Sequence, residues 1–369
     1  MKLSVVILNY KVPYHLMLCL DSVERAIKNL DAEIIVVDNN SKDESVAWVK
    51  RYFPNVICIE NSNNSGFSKG NNLGIKQAKG TYICLLNPDT VVGENCFINA
   101  LAYAEKNDDL GALGVRLISG TGEYLKESKR QVPTPRVALE KMVGYDKNYY
   151  HWLHFAKNGK VQVLVGAFML MRKDRYWEVG GLDEDYFMYG EDIDLSYKFL
   201  KKGYQNYYLG SERVIHFKGE STVKDKKYRE RFFGAMHLFY KKHFKEKSLG
   251  LIKPGLKLLE GLYVMKTQQR NKPQNLKQIL CIETEAEHNR AISKQVDLPL
   301  HLADKKLILK KDFYASLIVI EAKALAYEEI IYLIQKQKAK QNRFRLIPSN
   351  FNFALGSDSS FTQGEIIKF

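Results

Sequence analysis

Over the first ninety positions, apolar residues alternate between two rhythms. Leu3 to Leu8 (LSVVIL) is a continuous apolar run, as in a strand covered on both faces, and Leu16, Leu20, Val23 and Ile27 then recur at helical spacing. Glu33 to Asp38 (EIIVVD) repeats the strand signal, and a turn and a short helix around Val46 and Val49 follow. Asn55 to Glu60 (NVICIE) and Thr81 to Leu86 (TYICLL) continue the series, with a helix over about 68–78 between them. This βαβαβαβ order predicts an α/β fold with a mostly parallel central sheet covered by helices. Ligands of such sheets sit beyond the carboxyl ends of the strands. The residues placed there are Asn9 and Tyr10, Asp38, Asn61 to Gly66, and Asn87 to Asp89.

Residues 120–159 are less regular, hold Pro133 and Pro135, and carry Tyr145, Tyr149, Tyr150, His151, Trp152 and His154; they read as a mobile loop or an acceptor surface. Val163 to Met171 is expected to form one buried strand. In GEDIDLSYKFLKKG, the positions Ile193, Leu195, Phe199 and Leu200 predict a helix stopped by Gly203. A Tyr-rich strand and VIHF close this part of the chain. From Tyr228 to about Lys272 the pattern is helical and basic, with Phe232, Phe233, Phe239 and Phe244 among Lys241, Lys242, Lys245 and Lys247. From about residue 275 a small α/β pattern restarts with ILCIE, a polar helix, LILK, SLIVIEA, a helix over 327–337, FRLIP and EIIKF. The expected organisation is an α/β domain over 1–225, a basic aromatic helical segment over 226–274 and a small Rossmann-like accessory domain over 275–369. No G-x-G-x-x-G follows ILCIE, so a structural or interaction role without a dinucleotide is expected there.

Of the 369 residues, 45% are hydrophobic and 27% charged, which suits a folded chain, and no run reaches the roughly 18 apolar residues of a membrane-spanning helix. Asn9 interrupts the N-terminal apolar run and no small-residue cleavage site follows, so a strand is expected in place of a signal peptide, and with it a cytoplasmic location. Cys19, Cys58, Cys84, Cys96 and Cys281 lack paired spacings, which argues against a disulfide framework or a zinc cluster. The net charge of +14 calls for an anionic neighbour: nucleic acid, an anionic membrane surface or phosphate-bearing substrates.

Asp89 follows a buried strand, where a carboxylate can hold a hard divalent cation against a substrate diphosphate; Asn87, Pro88 and Asp89 are equally the residues of an ordinary turn. Asp38 can accept from a pyrimidine N–H or cap the next helix. Asn63, Asn64, Ser65 and Gly66 form a polar loop before a helix, a setting that receives phosphate.

The segments SVVILNY, IIVVDNNSKD, NNSGFSKGNNLGI, LLNPDT, VGAFMLMRKD, GGLDEDYFMYGEDIDL and VIHFKGES, in that order over residues 1–240, resemble family-two glycosyltransferases of the rhamnosyltransferase-like branch. The resemblance implies a GT-A fold and an inverting transfer of a sugar from a nucleoside diphosphate donor, a dTDP- or UDP-sugar, to a glycan or lipid-linked acceptor, with rhamnose as the leading sugar. It implies donor binding by Asn9, Tyr10, Asp38, Asn64, Gly66, Asn71, Asn87 and Asp89. Asp89 and His216 would hold Mg²⁺ or Mn²⁺, with Asn87 in place of the first Asp of the usual metal motif. Asp192 would be the general base and its neighbour Glu191 the loop anchor, since adjacent helical residues face different ways.

Relatives of this branch act on lipid-linked acceptors, so the basic aromatic segment is expected either to dock on the inner membrane face or to be a plain solvated helix. A nucleic-acid-binding protein would need a basic strip where this chain carries Asp38, Asp89, Glu191 and Asp192. A sugar-nucleotide sensor without turnover would not need the Glu191–Asp192 pair.

Overall fold

The computed structural model describes residues 1–142, 144–218, 226–244, 276–338, 340–358 and 364–369. The expected boundaries near residues 225 and 274 lie outside these residues, as do Lys245 and Lys247.

Strands β1 (Leu3–Asn9), β2 (Ala32–Asp38), β3 (Ile57–Glu60) and β4 (Tyr82–Leu86) alternate with helices α1 (Pro13–Ile27), α2 (Ser45–Tyr52) and α3 (Phe67–Gln77). They pair in parallel in the order β3-β2-β1-β4, as their apolar runs predict. The sheet then continues through residues whose order the periodicity did not reveal. After β5 (Thr90–Val92) and α4 (Cys96–Glu105) comes β6 (Leu110–Ile118), all nine of whose residues are buried. Later elements are β7 (Lys129–Arg130), α5 (Pro135–Met142), β8 (Gly159–Val161), β9 (Val163–Leu164), β10 (Phe168–Arg172), α6 (Lys173–Glu178), α7 (Glu191–Lys201) and β11 (Gln205–His216). The full order is β3-β2-β1-β4-β10-β6-β11-β5, with β8 against β11, and β10 is antiparallel to both neighbours. This is an α/β fold with a mostly parallel sheet. Glycine in β6 lets α7 approach: a Cβ at Gly111 would lie 2.7 Å from Phe199 Cβ.

Two expectations are corrected here. Val163 to Met171 is not one strand: β9 pairs with β7 in a separate ribbon and β10 enters the main sheet, with residues 165–167 as the break between them. The apolar side of helix α8 (Lys226–His243) packs on the protein, where a lipid-facing or solvated side was expected. Ala235, Met236, Phe239 and Tyr240 are buried against Val132, Val163, Tyr186 and Ile193. Lys242 pairs with Asp183 and Asp185, and His243 Nε2 lies 2.6 Å from Asp194 Oδ1. No helix among the described residues is long and apolar enough to cross a membrane.

The C-terminal residues build a second sheet from β12 (Gln278–Ile282), β13 (Leu300–Ala303), β14 (Ser316–Glu321), β15 (Arg343–Ile347), β16 (Phe353–Gly356) and β17 (Glu365–Lys368), in the order β13-β12-β14-β15-β16-β17. LILK is helical: Asp304 caps residues 305–310 by accepting from Leu307 N–H at 2.7 Å. The second sheet shares its hydrophobic core with the first, since Ile318, Tyr327 and Ile331 belong to the same cluster as Leu16, Leu20 and Val91. Polar contacts reinforce the joint. Tyr327 Oη donates to Asp21 Oδ2 at 2.5 Å, Arg25 Nη1 donates to Ala322 O at 2.7 Å, and Glu94 accepts from the N–H groups of Tyr327 and Glu328.

Candidate active site

The parallel register sets Asn9 beside Asp38 at the ends of β1 and β2. Asp38 is turned inward: Oδ1 accepts from Asn9 Nδ2 at 2.8 Å and Ser41 Oγ at 2.6 Å, and Oδ2 accepts from Ser41 N–H at 2.9 Å. These bonds shape the loop after β2, and the loop lines a recess of about 450 Å³ with Tyr10, Lys11, Asn40, Ser41, Lys42, Asp43 and Asn64. Of the expected donor-binding residues, Tyr10 and Asn64 therefore reach the recess, whereas Asn9 and Asp38 support its wall.

The polar loop before α3 is held by its own side chains. Asn64 Oδ1 accepts from Asn39 Nδ2 at 2.9 Å and from Gly66 N–H at 3.1 Å. Phe67 N–H donates to Phe187 O at 2.7 Å, so two amides expected to receive phosphate already have partners. Gly66 has φ +85°, and a Cβ there would meet Phe187 O at 2.5 Å; only glycine permits this contact. Asn71 Nδ2 donates to Phe67 O at 2.9 Å, a bond within the helix. Its neighbour Asn72, which the pattern did not mark, reaches across to Leu182 O and Glu184 Oε1.

β5 runs antiparallel to the end of β11, with His216 opposite Thr90, and this pairing brings His216 to Asp89. His216 Nε2 lies 3.4 Å from Asp89 Oδ1 and 3.4 Å from Asn87 Nδ2. Burial pushes the Asp89 carboxyl up, but the His216 ring, by charge and hydrogen bond, together with His15 and a backbone hydrogen bond, more than offsets this and holds it below the usual carboxylate range. One carboxylate and one imidazole separated by about the distance between adjacent ligands, each roughly 2.1 Å from an ion, fit a divalent cation that also binds phosphate oxygens.

Gly190, with φ +80°, starts α7 and places Glu191, Asp192 and Asp194 in its first turn. Asp192 Oδ2 accepts from Arg130 Nη2 at 2.6 Å and from Gly166 N–H at 3.1 Å, and Oδ1 accepts from Ile193 N–H at 2.7 Å. Arg130 also donates to Leu164 O at 2.8 Å. Glu191 is buried and its Oε2 has no hydrogen-bond partner among the described residues. Burial, reinforced by the Asp192 charge, raises its pKa to about 8. Arg130, in KESKRQVPTP, was missed because no local spacing marks a cation whose partner lies far along the chain.

The two halves of the site meet at the break between β9 and β10. Gly166 N–H faces Asp192, and the next residue, Ala167, accepts from Asn87 N–H at 3.0 Å. The carboxyl edge of a mostly parallel sheet thus carries an Asp–His pair and, across one turn of backbone, a Glu–Asp pair. Residues 4–180 of the 369 match the sequence profile of glycosyl transferase family 2. An N-acetylglucosaminyl-diphospho-decaprenol L-rhamnosyltransferase of Mycobacterium tuberculosis is 26% identical over 60% of this chain and 78% of its own length. Rhamnosyltransferase WbbL of Escherichia coli is 24% identical over 53% of this chain and 79% of its own. A mannosyltransferase of Pyrobaculum calidifontis solved with GDP-Man and Mn²⁺ aligns over 72% of this chain and 71% of its own, at 16% identity and a TM-score of 0.47.

Proposed function

We propose that the chain transfers a sugar, with inversion, from a nucleoside diphosphate donor to a hydroxyl of a glycan or lipid-linked glycan acceptor in surface polysaccharide synthesis. The relatives named for rhamnosyl transfer favour rhamnose, and the donor on this reading is a dTDP- or UDP-sugar. One observation supports the reading: residues 166 and 167 join the Asn87–Asp89 turn to Asp192, so the proposed cation ligand and the proposed base would share one site.

On this reading the recess around Tyr10, Lys11 and Asn64 takes the nucleoside, with Asp38 and Asn9 as its support. Asp89 and His216 would hold a divalent cation, Mg²⁺ or Mn²⁺, which neutralises charge on the departing diphosphate. Glu191, with its pKa raised to about 8, is suited to hold a proton, and on this reading Asp192, paired with Arg130, is the base. The acceptor oxygen bonds to the anomeric carbon as its proton passes to Asp192. The carbon–oxygen bond to the nucleoside diphosphate breaks, and that group leaves with the bonding electrons. A single displacement inverts the centre, because on this reading the site offers one base and, among the described residues, no second group assigned as nucleophile. Lys241 is exposed on α8 and would face an anionic bilayer that carries the acceptor.

The test is a thermal-shift panel of nucleoside diphosphate sugars with and without Mn²⁺, in the wild type and Asp192→Asn. A ligand at a hundred times its Kd adds about 2.7 kcal/mol of stability. Both proteins should show the same Mn²⁺-dependent shift, while Asp192→Asn loses at least about a hundredfold in transfer. If no nucleotide sugar shifts the wild type, the donor reading fails.

A further inference from the structure

A group of cations lies beside the proposed base and has no role in the chemistry above. Arg130 links Asp192 to Tyr149. Burial pushes the Tyr149 phenol up, but Arg130 and Lys141 more than offset it and bring its pKa below the ordinary value. Lys141 Nζ lies 3.1 Å from the centroid of the Tyr149 ring. Lys141 and Lys126 are each 5.8 Å from the centroid of the Tyr150 ring, and the two tyrosine rings meet edge to face at 5.2 Å. At the other end of the group, Glu127, the neighbour of Lys126, pairs with Lys218, two residues after His216. The group therefore runs from the Asp89–His216 side of the site to Asp192.

Of the nearby carboxylates, Asp192 faces Arg130 and Glu127 faces Lys218, while Asp146 acts on Lys141 by its charge alone. Among the described residues neither Lys126 nor Lys141 has a carboxylate partner. Lys141 is partly buried, and burial lowers its pKa. Tyrosine faces hold these ammonium groups by cation–π attraction, a weaker partner than an anion.

We propose that Lys126, Lys141, Tyr149 and Tyr150 form a subsite for a phosphate or diphosphate group esterified to the acceptor sugar. This rests on the reading of Asp192 as the base, which fixes the acceptor side of the site. Two ammonium groups held only against tyrosine rings, beside the Arg130 guanidinium, suit a multiply charged phosphate better than a singly charged carboxylate.

The test measures binding of inorganic pyrophosphate by equilibrium dialysis, with and without saturating thymidine diphosphate to fill the donor site. The proteins are the wild type, Lys126→Gln/Lys141→Gln and Lys126→Arg/Lys141→Arg. The wild type should keep one pyrophosphate site when nucleotide is present. The Gln pair should bind pyrophosphate at least about tenfold more weakly, with unchanged Tm and nucleotide affinity, and the Arg pair should bind close to wild type. Loss of all pyrophosphate binding once nucleotide fills the donor site would overturn the proposal, because the donor phosphates would then be the only anions held. Equal binding by the wild type and the Gln pair would overturn it too. Failure of nucleotide to bind would count against the donor reading alone, since the comparison between variants can be made without nucleotide. Displacement by farnesyl diphosphate assigns the group to a lipid carrier and displacement by an oligo(glycerol phosphate) to a phosphodiester polymer; either result supports the subsite.

Discussion

Arg130 and Asp192 meet as a buried ion pair, Nη2 to Oδ2 2.6 Å, with side chains only 10% and 11% exposed. Removing one partner leaves the other charge buried and alone, which typically costs about 3–5 kcal/mol. Arg130→Met should lower stability on that scale in urea unfolding, and Arg130→Met/Asp192→Leu should recover part of the loss. A double variant less stable than the single one would show that the pair is not what holds β7 and α7 together.

Glu191 should make stability fall with rising pH. In the folded chain it releases its proton only near pH 8, because of burial first and then the Asp192 charge; in the unfolded chain it does so in the ordinary carboxylate range. Between about pH 5 and 8 the folded chain holds the extra proton, so raising the pH favours unfolding, by on the order of a few kcal/mol across that window. Glu191→Gln should flatten the slope when denaturant midpoints are compared at pH 5, 6.5 and 8. Identical slopes for the two proteins would remove the group from the account.

Asp89 and His216 should act as one unit toward the cation. Asp89→Asn should reduce nucleotide-sugar affinity in Mn²⁺ to its level in EDTA, with the fold intact by circular dichroism. His216→Ala should weaken the Mn²⁺ dependence at least about tenfold. Wild-type affinity in Mn²⁺ for Asp89→Asn would mean that the cation is held elsewhere.

Tyr327→Phe tests the joint between the two sheets. The Tyr327 hydroxyl donates to the Asp21 carboxylate at 2.5 Å in a buried setting, and such bonds to charged groups contribute about 1.5–3 kcal/mol. The variant should lose about that much stability in urea and become more sensitive to proteolysis between the sheets. A loss below about 0.5 kcal/mol would show that apolar packing alone carries the joint.

The first four strands and the helix that carries Glu191 and Asp192 were legible because their signals are local: an apolar run, a helical spacing and a stop at Gly203. Strand β6 was not. LGALGVRLI mixes glycines and Arg116 with apolar residues, and only its place between β10 and β11 explains why all nine residues are buried. The apolar run 163–171 read as one strand because composition alone does not show that residues 165–167 leave the sheet to contact Asp192 and Asn87.

By itself, then, the sequence determined the parallel half of the sheet, its acidic carboxyl edge and the family resemblance that those motifs carry. Tertiary structure decided which groups face one another. Asp38 turns to Ser41 and Asn9, the aromatic face of α8 covers the protein, and Asp192 meets an arginine 62 residues away. Periodicity reports a residue's local face, which follows from backbone geometry within a few residues. Pairing of charges across such distances follows from sheet order and burial, where the cost of an unpaired buried charge selects the partner after the chain has closed around it.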